Sequence, residues 1–357
     1  MFIAISLLAV LNAEAPPPPL SVPQAIAAIG RDEDVDRAVT RLRAAGKPGV
    51  WALHGAAKEA HATERGRLFE GIGRVGGSEA EWALITELSG SDATGVVGAV
   101  RGLARLGEPR VVGNLLRHAT SAQEPVRDAI VEALAQYGMS PAQLDALLAH
   151  EREEARETAV RTLARAGTAA QRSAAIPAAM ADPAPRVRRA ALALVVAAKD
   201  QSQVFTIAEL ARGSDPVLAI EAVRALQALG GWNVPGMLSA VVAHPSTQPA
   251  VRVEAATVLR AMDRAGLNAL VKASSEVKAP EALYDIAARA LSGGDLDAVI
   301  ELLEDPAHRT ASTAILDRVG ALSAQQATAR QATALPELHA AIAAYLLHQK
   351  GNALTSK

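Results

Sequence analysis

Apolar residues recur along the chain at the spacing of an amphipathic helix, and each run ends near a glycine with a nearly constant period. The eight residues 100–107 return with little change at 160–167 and at 223–230. In each copy one apolar residue lies four positions before the closing glycine, and it marks the same point of the repeat. These anchors are Leu42, Ile72, Leu103, Leu134, Leu163, Leu194, Leu226, Leu259, Leu291 and Leu316. Their separations of 25 to 33 residues are typical of stacked supersecondary units.

Residues 108–138 show what one unit contains. Gly107 suits the left-handed residue that closes a helix, and Pro109 suits the first position of the next helix. Apolar residues at helical spacing follow, and after a polar break Pro125 opens a second helix that Gly138 closes. The pattern therefore predicts helix, turn, helix, turn.

Proline placement marks the start of each second helix. Six prolines stand 9 to 11 residues before an anchor: Pro125, Pro185, Pro216, Pro249, Pro280 and Pro306. A proline inside a helix costs about 3 kcal/mol, so such regular placement predicts six helix starts. Asp182, Asp215 and Asp305 directly precede a proline, where their carboxylates can cap free backbone N–H groups.

Composition favours helix over strand. Half of the residues are apolar and only 3% are aromatic, with alanine and leucine, both good helix formers, predominating. We predict an all-α fold, a right-handed solenoid of about ten helix pairs, with the first helices on one face and the second helices on the other.

Three segments carry a resemblance to a known family. Residues 182–194, 124–134 and 248–259 resemble the second-helix signature of HEAT repeats. The period near 31 looks more like the compact bacterial form of the PBS-lyase type than the longer eukaryotic form. The resemblance covers roughly residues 24–350, and it implies an α-solenoid that binds other macromolecules.

The resemblance also implies a role for the arginine of the Pro-x-Val-Arg motif. In the family this arginine joins a structural ladder with an acidic residue of an adjoining repeat. Arg127, Arg188 and Arg252 match the motif, so they are expected to be structural. The arginine is missing after Pro216, and we expect the ladder to be interrupted there.

The charge and the residue types of the chain exclude several kinds of functional site. The net charge is −2 and no third of the chain is strongly basic, so we predict no nucleic-acid partner. The chain has no cysteine, which excludes thiolate sites. We predict no metal or cofactor, because the candidate ligands are too few. The chain has a single His–Glu pair, His150–Glu151, and His54 with His61 lacks a third ligand. The glycine spacing of residues 71–76 fits a dinucleotide fingerprint, but no strand precedes it.

One surface hypothesis concerns arginines spaced four residues apart, which share a helix face. A basic strip on the second helices would be formed by two such pairs, Arg101 with Arg105 and Arg161 with Arg165. This strip would receive an acidic segment of a protein partner. The alternative is a solvated face on which Glu132 bridges the two arginine pairs.

The aromatic residues are scattered through different repeats. Trp51, Trp82, Trp232, Tyr284 and Tyr345 do not lie beside a basic track, as stacking platforms for single-stranded nucleic acid require. We expect them to be large packing residues.

The amino terminus resembles an export signal. Residues 2–11 are apolar apart from Ser6 and are too few for a membrane-spanning helix, and Ala13 and Ala15 form a small-x-small cleavage pattern. No basic residue precedes the run and Pro16 would follow the cleaved bond, so a frayed start or a misassigned start codon is the alternative. We assign residues 1–15 to a signal peptide, 16–23 to a proline-rich linker, and 351–357 to a tail after the repeats.

Together these features predict a noncatalytic scaffold for protein–protein interaction, exported to the periplasm or beyond, with a cytoplasmic location as the alternative. No stable membrane span is expected. Two other functions stay open: a HEAT-like enzyme of the bilin-lyase or base-excision type, and a structural spacer without a specific ligand.

Mass spectrometry of the mature protein tests the export prediction. If residues 1–15 are removed, the amino-terminal peptide should begin at Pro16. Recovery of an intact Met1 peptide from protein produced in its native host would contradict it.

Overall fold

The computed structural model describes residues 18–262, 264–277, 280–289, 291 and 293–355. The predicted signal peptide, residues 1–15, lies outside them. Within the described residues the chain forms 22 α-helices and no strands, and the predicted all-α fold class is confirmed. Taken two by two, these helices give eleven pairs, one more than the ten anchors.

The chain divides into two compact units, residues 1–162 and 163–357. Among its described residues, the first unit contains α1 (Val22–Arg31), α2 (Val35–Ala45), α3 (Lys47–Glu59), α4 (Ala62–Val75), α5 (Ser78–Glu87), α6 (Ala93–Leu106), α7 (Val112–Arg117), α8 (Glu124–Tyr137), α9 (Pro141–Leu148) and most of α10 (Glu153–Ala166). A short 3-10 turn, Pro109–Val111, precedes α7.

The second unit begins within the last turn of α10. Its helices are α11 (Ala169–Met180), α12 (Pro185–Ala198), α13 (Val204–Ala211), α14 (Pro216–Leu229), α15 (Val234–Ala243), α16 (Pro249–Ala261), α17 (Arg264–Ser274), α18 (Glu281–Ala288), α19 (Gly293–Glu301), α20 (Pro306–Val319), α21 (Ala321–Gln331) and α22 (Pro336–Thr355). In both units, helices pack against their partner in the pair and against the corresponding helix of the next pair.

All ten anchors are buried. Nine of them lie in second helices, where they fill the space between neighbouring pairs. Leu291 is the exception, because α18 ends at Ala288 and Leu291 lies in the loop beyond it. The prediction that this anchor lies in a second helix was therefore wrong.

The helical array is longer than the sequence predicted at both ends. Helix α1 begins at Val22, inside the predicted linker 16–23, because Ser21 forms a capping box at its start. At the other end α22 continues to Thr355, inside the predicted tail 351–357.

The predicted helix starts are confirmed. Four prolines are the first residue of a helix, Pro125 is the second residue of α8, and Pro280 directly precedes α18. Asp215 caps α14 by accepting hydrogen bonds from the backbone N–H groups of Val217 (3.0 Å) and Leu218 (3.1 Å). Gly107 closes α6 with φ of 78°, which is the left-handed conformation expected for it.

The arginine of the Pro-x-Val-Arg motif binds the turn of its own hairpin. Arg127, 2% exposed, donates through Nη1 to the carbonyls of Ser121 (2.8 Å) and Ala122 (3.0 Å). Its Nε also lies 3.5 Å from Oε2 of Glu157 in the next repeat. Arg127 therefore closes one hairpin and joins it to the next, as the predicted ladder requires.

Other arginines at this position also bind the carbonyls of their own turn. These bonds run from Arg156 to His150 and Glu151, from Arg188 to Asp182 and Pro183, from Arg252 to Val242 and His244, and from Arg309 to Leu303 and Glu304. For Arg188 and Arg252 the acceptors are carbonyls of their own repeat, so both have the structural role predicted for them, through these carbonyls and not through the acidic partner that the resemblance implies. In the repeat that Pro216 opens, the buried Ala219 replaces the arginine.

Side chains from neighbouring repeats also cap the ends of second helices. Tyr137 at the end of α8 donates its hydroxyl to the carbonyl of Leu103 (2.5 Å) and accepts from the N–H of Gly107 (3.0 Å). Arg43 at the end of α2 donates through Nε to the carbonyl of Val75 (3.0 Å). These bonds satisfy carbonyls that a helix leaves unpaired at its carboxyl end.

Helices α4 and α6 approach so closely that their backbones touch. A Cβ atom on Gly73 would lie 1.9 Å from the carbonyl oxygen of Gly102, and one on Gly98 would lie 2.5 Å from that of Gly66. The glycine-rich run 71–76 thus lies at the end of α4, where it allows the two helices to pack closely. The lack of a preceding strand in the sequence had argued against a dinucleotide-binding site there.

Substitution at this contact should destabilise the first unit. Gly73→Ala would force α4 and α6 apart, and we expect a loss of about 1–3 kcal/mol or more in the free energy of unfolding. Gly55→Ala, in the middle of α3 with nothing within 4 Å of an added Cβ atom, should instead stabilise the chain by about 0.5–1 kcal/mol. Urea unfolding followed by circular dichroism measures both; equal effects would contradict this packing.

Candidate functional site

The predicted basic strip does not form one continuous set of exposed arginines. Arg101 and Arg105 are exposed on α6. Arg161 is half-buried and ion-paired, with Nη2 2.6 Å from Oδ1 of Asp128 and Nη1 3.6 Å from Oε1 of Glu157. These pairs give Arg161 a structural role. Arg165 lies exposed in the last turn of α10, within the second unit.

Two grooves meet on the second-helix face of the first unit. The larger has a volume of about 360 Å³ and is lined by Glu70, Arg101, Ala104, Arg105, Ala129, Glu132, Ala133 and Gln136. The smaller, about 300 Å³, is lined by Ile29, Asp32, Val35, Arg67, Glu70, Gly71, Arg74 and Arg101. Arg101 and Glu70 belong to both, so the two grooves form a shared surface that we call the charged grooves.

Glu70 organises the charges of this surface. Its Oε1 lies 3.4 Å from Nη2 of Arg74 and 3.2 Å from Nε of Arg105. Arg101, by contrast, makes no hydrogen bond or ion pair to another described residue. Its guanidinium lies exposed where the grooves join, with all of its donors available.

The sequence hypothesis missed Glu70, although a signal was present. Glu70, Arg101, Glu132 and Arg161 each stand two residues before an anchor in successive repeats. The charge at this position therefore alternates along the second-helix face. The surface is mixed in charge, and Glu70 is the carboxylate that joins Arg105 to Arg74.

An aromatic cluster lies on the first-helix face of the same unit. The ring centroids of Trp51 and Trp82 are 5.4 Å apart at 61°, and those of Trp51 and His54 are 5.5 Å apart at 82°. His54 in turn meets Phe69 edge to face at 5.9 Å. A groove of about 310 Å³ beside the two tryptophans is lined by Lys47, Trp51, Ser78, Glu79 and Trp82.

The expectation that the aromatic residues are packing residues holds for some of them only. Tyr284 and Tyr345 are buried, but Trp82 is 58% and Trp232 93% exposed. Trp232 follows Gly230 and Gly231, both with positive φ, and the turn that they form carries the indole into solvent. Trp82, by contrast, lies within the first helix α5.

His54 is half-buried, and its Nε2 has no hydrogen-bond partner in the described structure. Burial, reinforced by the nearby Lys58 ammonium, lowers the pKa of His54 below its ordinary value of 6.5, and Glu87 opposes this only partly. Lys58 itself forms an ion pair with Glu87, which is 4% exposed.

Other sequence candidates have local structural roles. Nδ1 of His150 accepts a hydrogen bond from the backbone N–H of Arg152 (3.0 Å), and His61 precedes the first residue of α4. Within the described ranges, no group of three or more His, Asp or Glu residues is placed to hold a metal ion. The helices of the same ranges include none with the length and apolarity needed to cross a bilayer.

Comparison with known proteins agrees with this architecture. The family model for HEAT repeats matches residues 81–150, which contain α5 to α9. No curated protein matches the chain.

Solved structures similar to the chain include YibA of Escherichia coli, with 14% identity, a TM-score of 0.43, and coverage of 76% of this chain and 96% of that chain. The complex of CpcE and CpcF of phycocyanin lyase from Nostoc sp. has 18% identity, a TM-score of 0.26, and coverage of 74% and 98%. The S. pombe condensin Cnd3–Cnd2 subcomplex has 11% identity, a TM-score of 0.32, and coverage of 88% and 56%.

The helix pairs define a helical-repeat protein of the all-α solenoid class. The resemblance to HEAT-like repeats seen in the sequence is confirmed by the family match and by the hairpins themselves. At these identities, the similar structures carry no information about the function of the chain.

The buried His54 predicts a pH dependence of stability. The pKa of His54 in the folded chain lies below 6.5, so the unfolded chain binds the proton more readily. The contribution of neutral His54 to the free energy of unfolding is therefore fully present above pH 6.5 and is lost as the pH falls through the folded pKa. Replacing His54 by Phe should make the unfolding free energy fall less steeply between about pH 7.5 and 5.5. Gly55→Ala, in the same helix, should keep the wild-type slope; an equal slope in the His54→Phe variant would contradict the prediction.

Proposed function

We propose that the chain is a noncatalytic scaffold whose charged grooves bind an extended acidic segment of a partner protein. The observation that carries this proposal is the position of Arg101, exposed and without a bond to another described residue at the junction of two grooves. A surface built from successive repeats suits an extended ligand.

The chemistry of the two arginines supports an acidic ligand. A guanidinium offers five N–H donors in a planar fork that matches a carboxylate. Arg105 uses its Nε for Glu70 and is 58% exposed, so its outer edge can donate to a ligand while Glu70 holds the side chain in place. Arg101 and Arg105 lie one turn apart on α6, and two carboxylates of an extended segment could each meet one of them.

The lining of the charged grooves supports binding rather than catalysis. Their residues are aliphatic, glycine, arginine, carboxylate and one glutamine. No histidine, serine, lysine or tyrosine is among them, so the usual nucleophile and base pairs of acyl transfer are missing from this surface. Base excision would need aromatic side chains beside the basic groups, whereas the tryptophans of this unit lie on the first helices.

We place this scaffold outside the cytoplasm, in the periplasm or beyond. The support is the apolar run of residues 2–11 with its small-x-small pattern. A cytoplasmic location is the alternative, and the amino-terminal peptide distinguishes the two.

Peptide binding tests the proposal. The probe is a twelve-residue peptide in which glutamate alternates with alanine, titrated onto the full chain, and its lysine counterpart is the charge-reversed control. The double variant Arg101→Ser, Arg105→Ser should bind the acidic peptide about tenfold more weakly, because two charge-assisted contacts of roughly 0.5–1 kcal/mol each are lost. The affinity of the wild type should also fall with added salt.

Arg117→Ser is the matched control, since Arg117 is exposed on the first helix α7 and should leave binding unchanged. Unaltered binding by the double variant, or equal binding of the lysine peptide, would dismiss the charged grooves as the site. A wild type that binds neither peptide, and captures nothing from envelope extract at physiological salt, would favour the structural spacer.

A further inference from the structure

We propose that Trp51 and Trp82 form a docking site for an uncharged, proline-rich segment of a partner protein in the polyproline II conformation. This site lies on the first-helix face, and it is independent of the function proposed for the charged grooves.

The two tryptophans occupy equivalent positions of successive repeats. Trp51 is the fifth residue of α3, and Trp82 is the fifth residue of α5. The next position in the series, again 31 residues on, is Gly113 in α7. Gly113 has no side chain, and a Cβ built on it would meet nothing within 4 Å. Gly113 therefore supplies no third ring to the series, and Trp82 is 58% exposed.

The geometry of the two rings suits an extended apolar ligand. Their planes are inclined at 61° with centroids 5.4 Å apart, and both rings line the groove of about 310 Å³. Trp51 also meets the half-buried His54 ring edge to face. Aromatic-lined grooves of this kind take the proline rings of a polyproline II helix.

Unused hydrogen-bond donors point to a ligand with free carbonyl groups. Neither indole N–H of the pair donates to another described residue. A polyproline II segment has no internal hydrogen bonds, and its carbonyls project outward along the whole segment. It can therefore accept from an indole while its proline rings pack on the aromatic surface.

The charges beside the rings favour an uncharged ligand. Lys47 and Glu79 are the charged residues that line the groove, and Nζ of Lys47 lies 3.6 Å from Oε1 of Glu79. Glu79 also accepts a hydrogen bond from Oγ of Ser78 (3.0 Å). The pair gives the groove no net charge, so an acidic or basic segment would find no complementary field there, whereas a neutral proline-rich segment fits it.

In the experiment, a nonapeptide of three Ala-Pro-Pro units with acetylated and amidated ends is titrated onto the full chain. Calorimetry measures the binding. We expect saturable binding that changes little with salt. Trp82→Ala should weaken it by about tenfold or more, as loss of a tryptophan contact at an interface does, and Trp82→Phe should fall between. Trp232→Ala, which removes an exposed indole from the second unit, is the matched control and should bind as the wild type does.

Several results would overturn the proposal. One is binding that does not saturate, and another is an unchanged affinity in Trp82→Ala whose far-UV circular dichroism and unfolding midpoint match the wild type. Equal binding of a nonapeptide with lysine in place of alanine, or of choline, would indicate a cation site. Self-association of the wild type that Trp82→Ala abolishes would assign the face to a second copy of the chain.

Discussion

The contact between neighbouring second helices is the constraint on which the rest of the structure depends. A helix pair buries one side of its apolar surface within itself, and the other side is sheltered only by the next pair. Where α4 meets α6, the contact is so close that Gly73, Gly98 and Gly102 leave no room for a side chain. This approach brings Glu70, Arg74, Arg101 and Arg105 onto one surface, and the charged grooves follow from it.

Polar groups fix the geometry that apolar packing alone would leave loose. Arginines at the start of second helices hold the carbonyls of the preceding turn, which sets how the two helices of a pair meet. Buried donors must find acceptors, and the repeat meets this requirement with a side chain in nearly the same place each time. Among the helices of the described residues, seven of the eleven second helices have 14 residues, so most of them present their outer faces in a regular series.

The repeat and its helix boundaries were accessible from the sequence because proline, glycine and apolar spacing act locally. Pro216 and Gly107 could be placed without knowing any neighbour. The site was harder to predict, since it depends on contacts between residues about 30 positions apart. The bond from Glu70 to Arg105 and the pairing of Arg161 with Asp128 are of this kind. The contact between the rings of Trp51 and Trp82 likewise joins two successive repeats.

The hydroxyl of Tyr137, which closes the end of α6 from the following repeat, bears on how such a chain can change its length during evolution. The last turn of one hairpin is completed by an atom that the next hairpin supplies. A duplication or deletion is therefore tolerated best when it copies the donor together with its acceptor, that is, when its endpoints fall at the same place in two hairpins. An array that grows in this way keeps the hydrogen bonds between its hairpins. The side chains on its outer faces can then change without breaking those bonds.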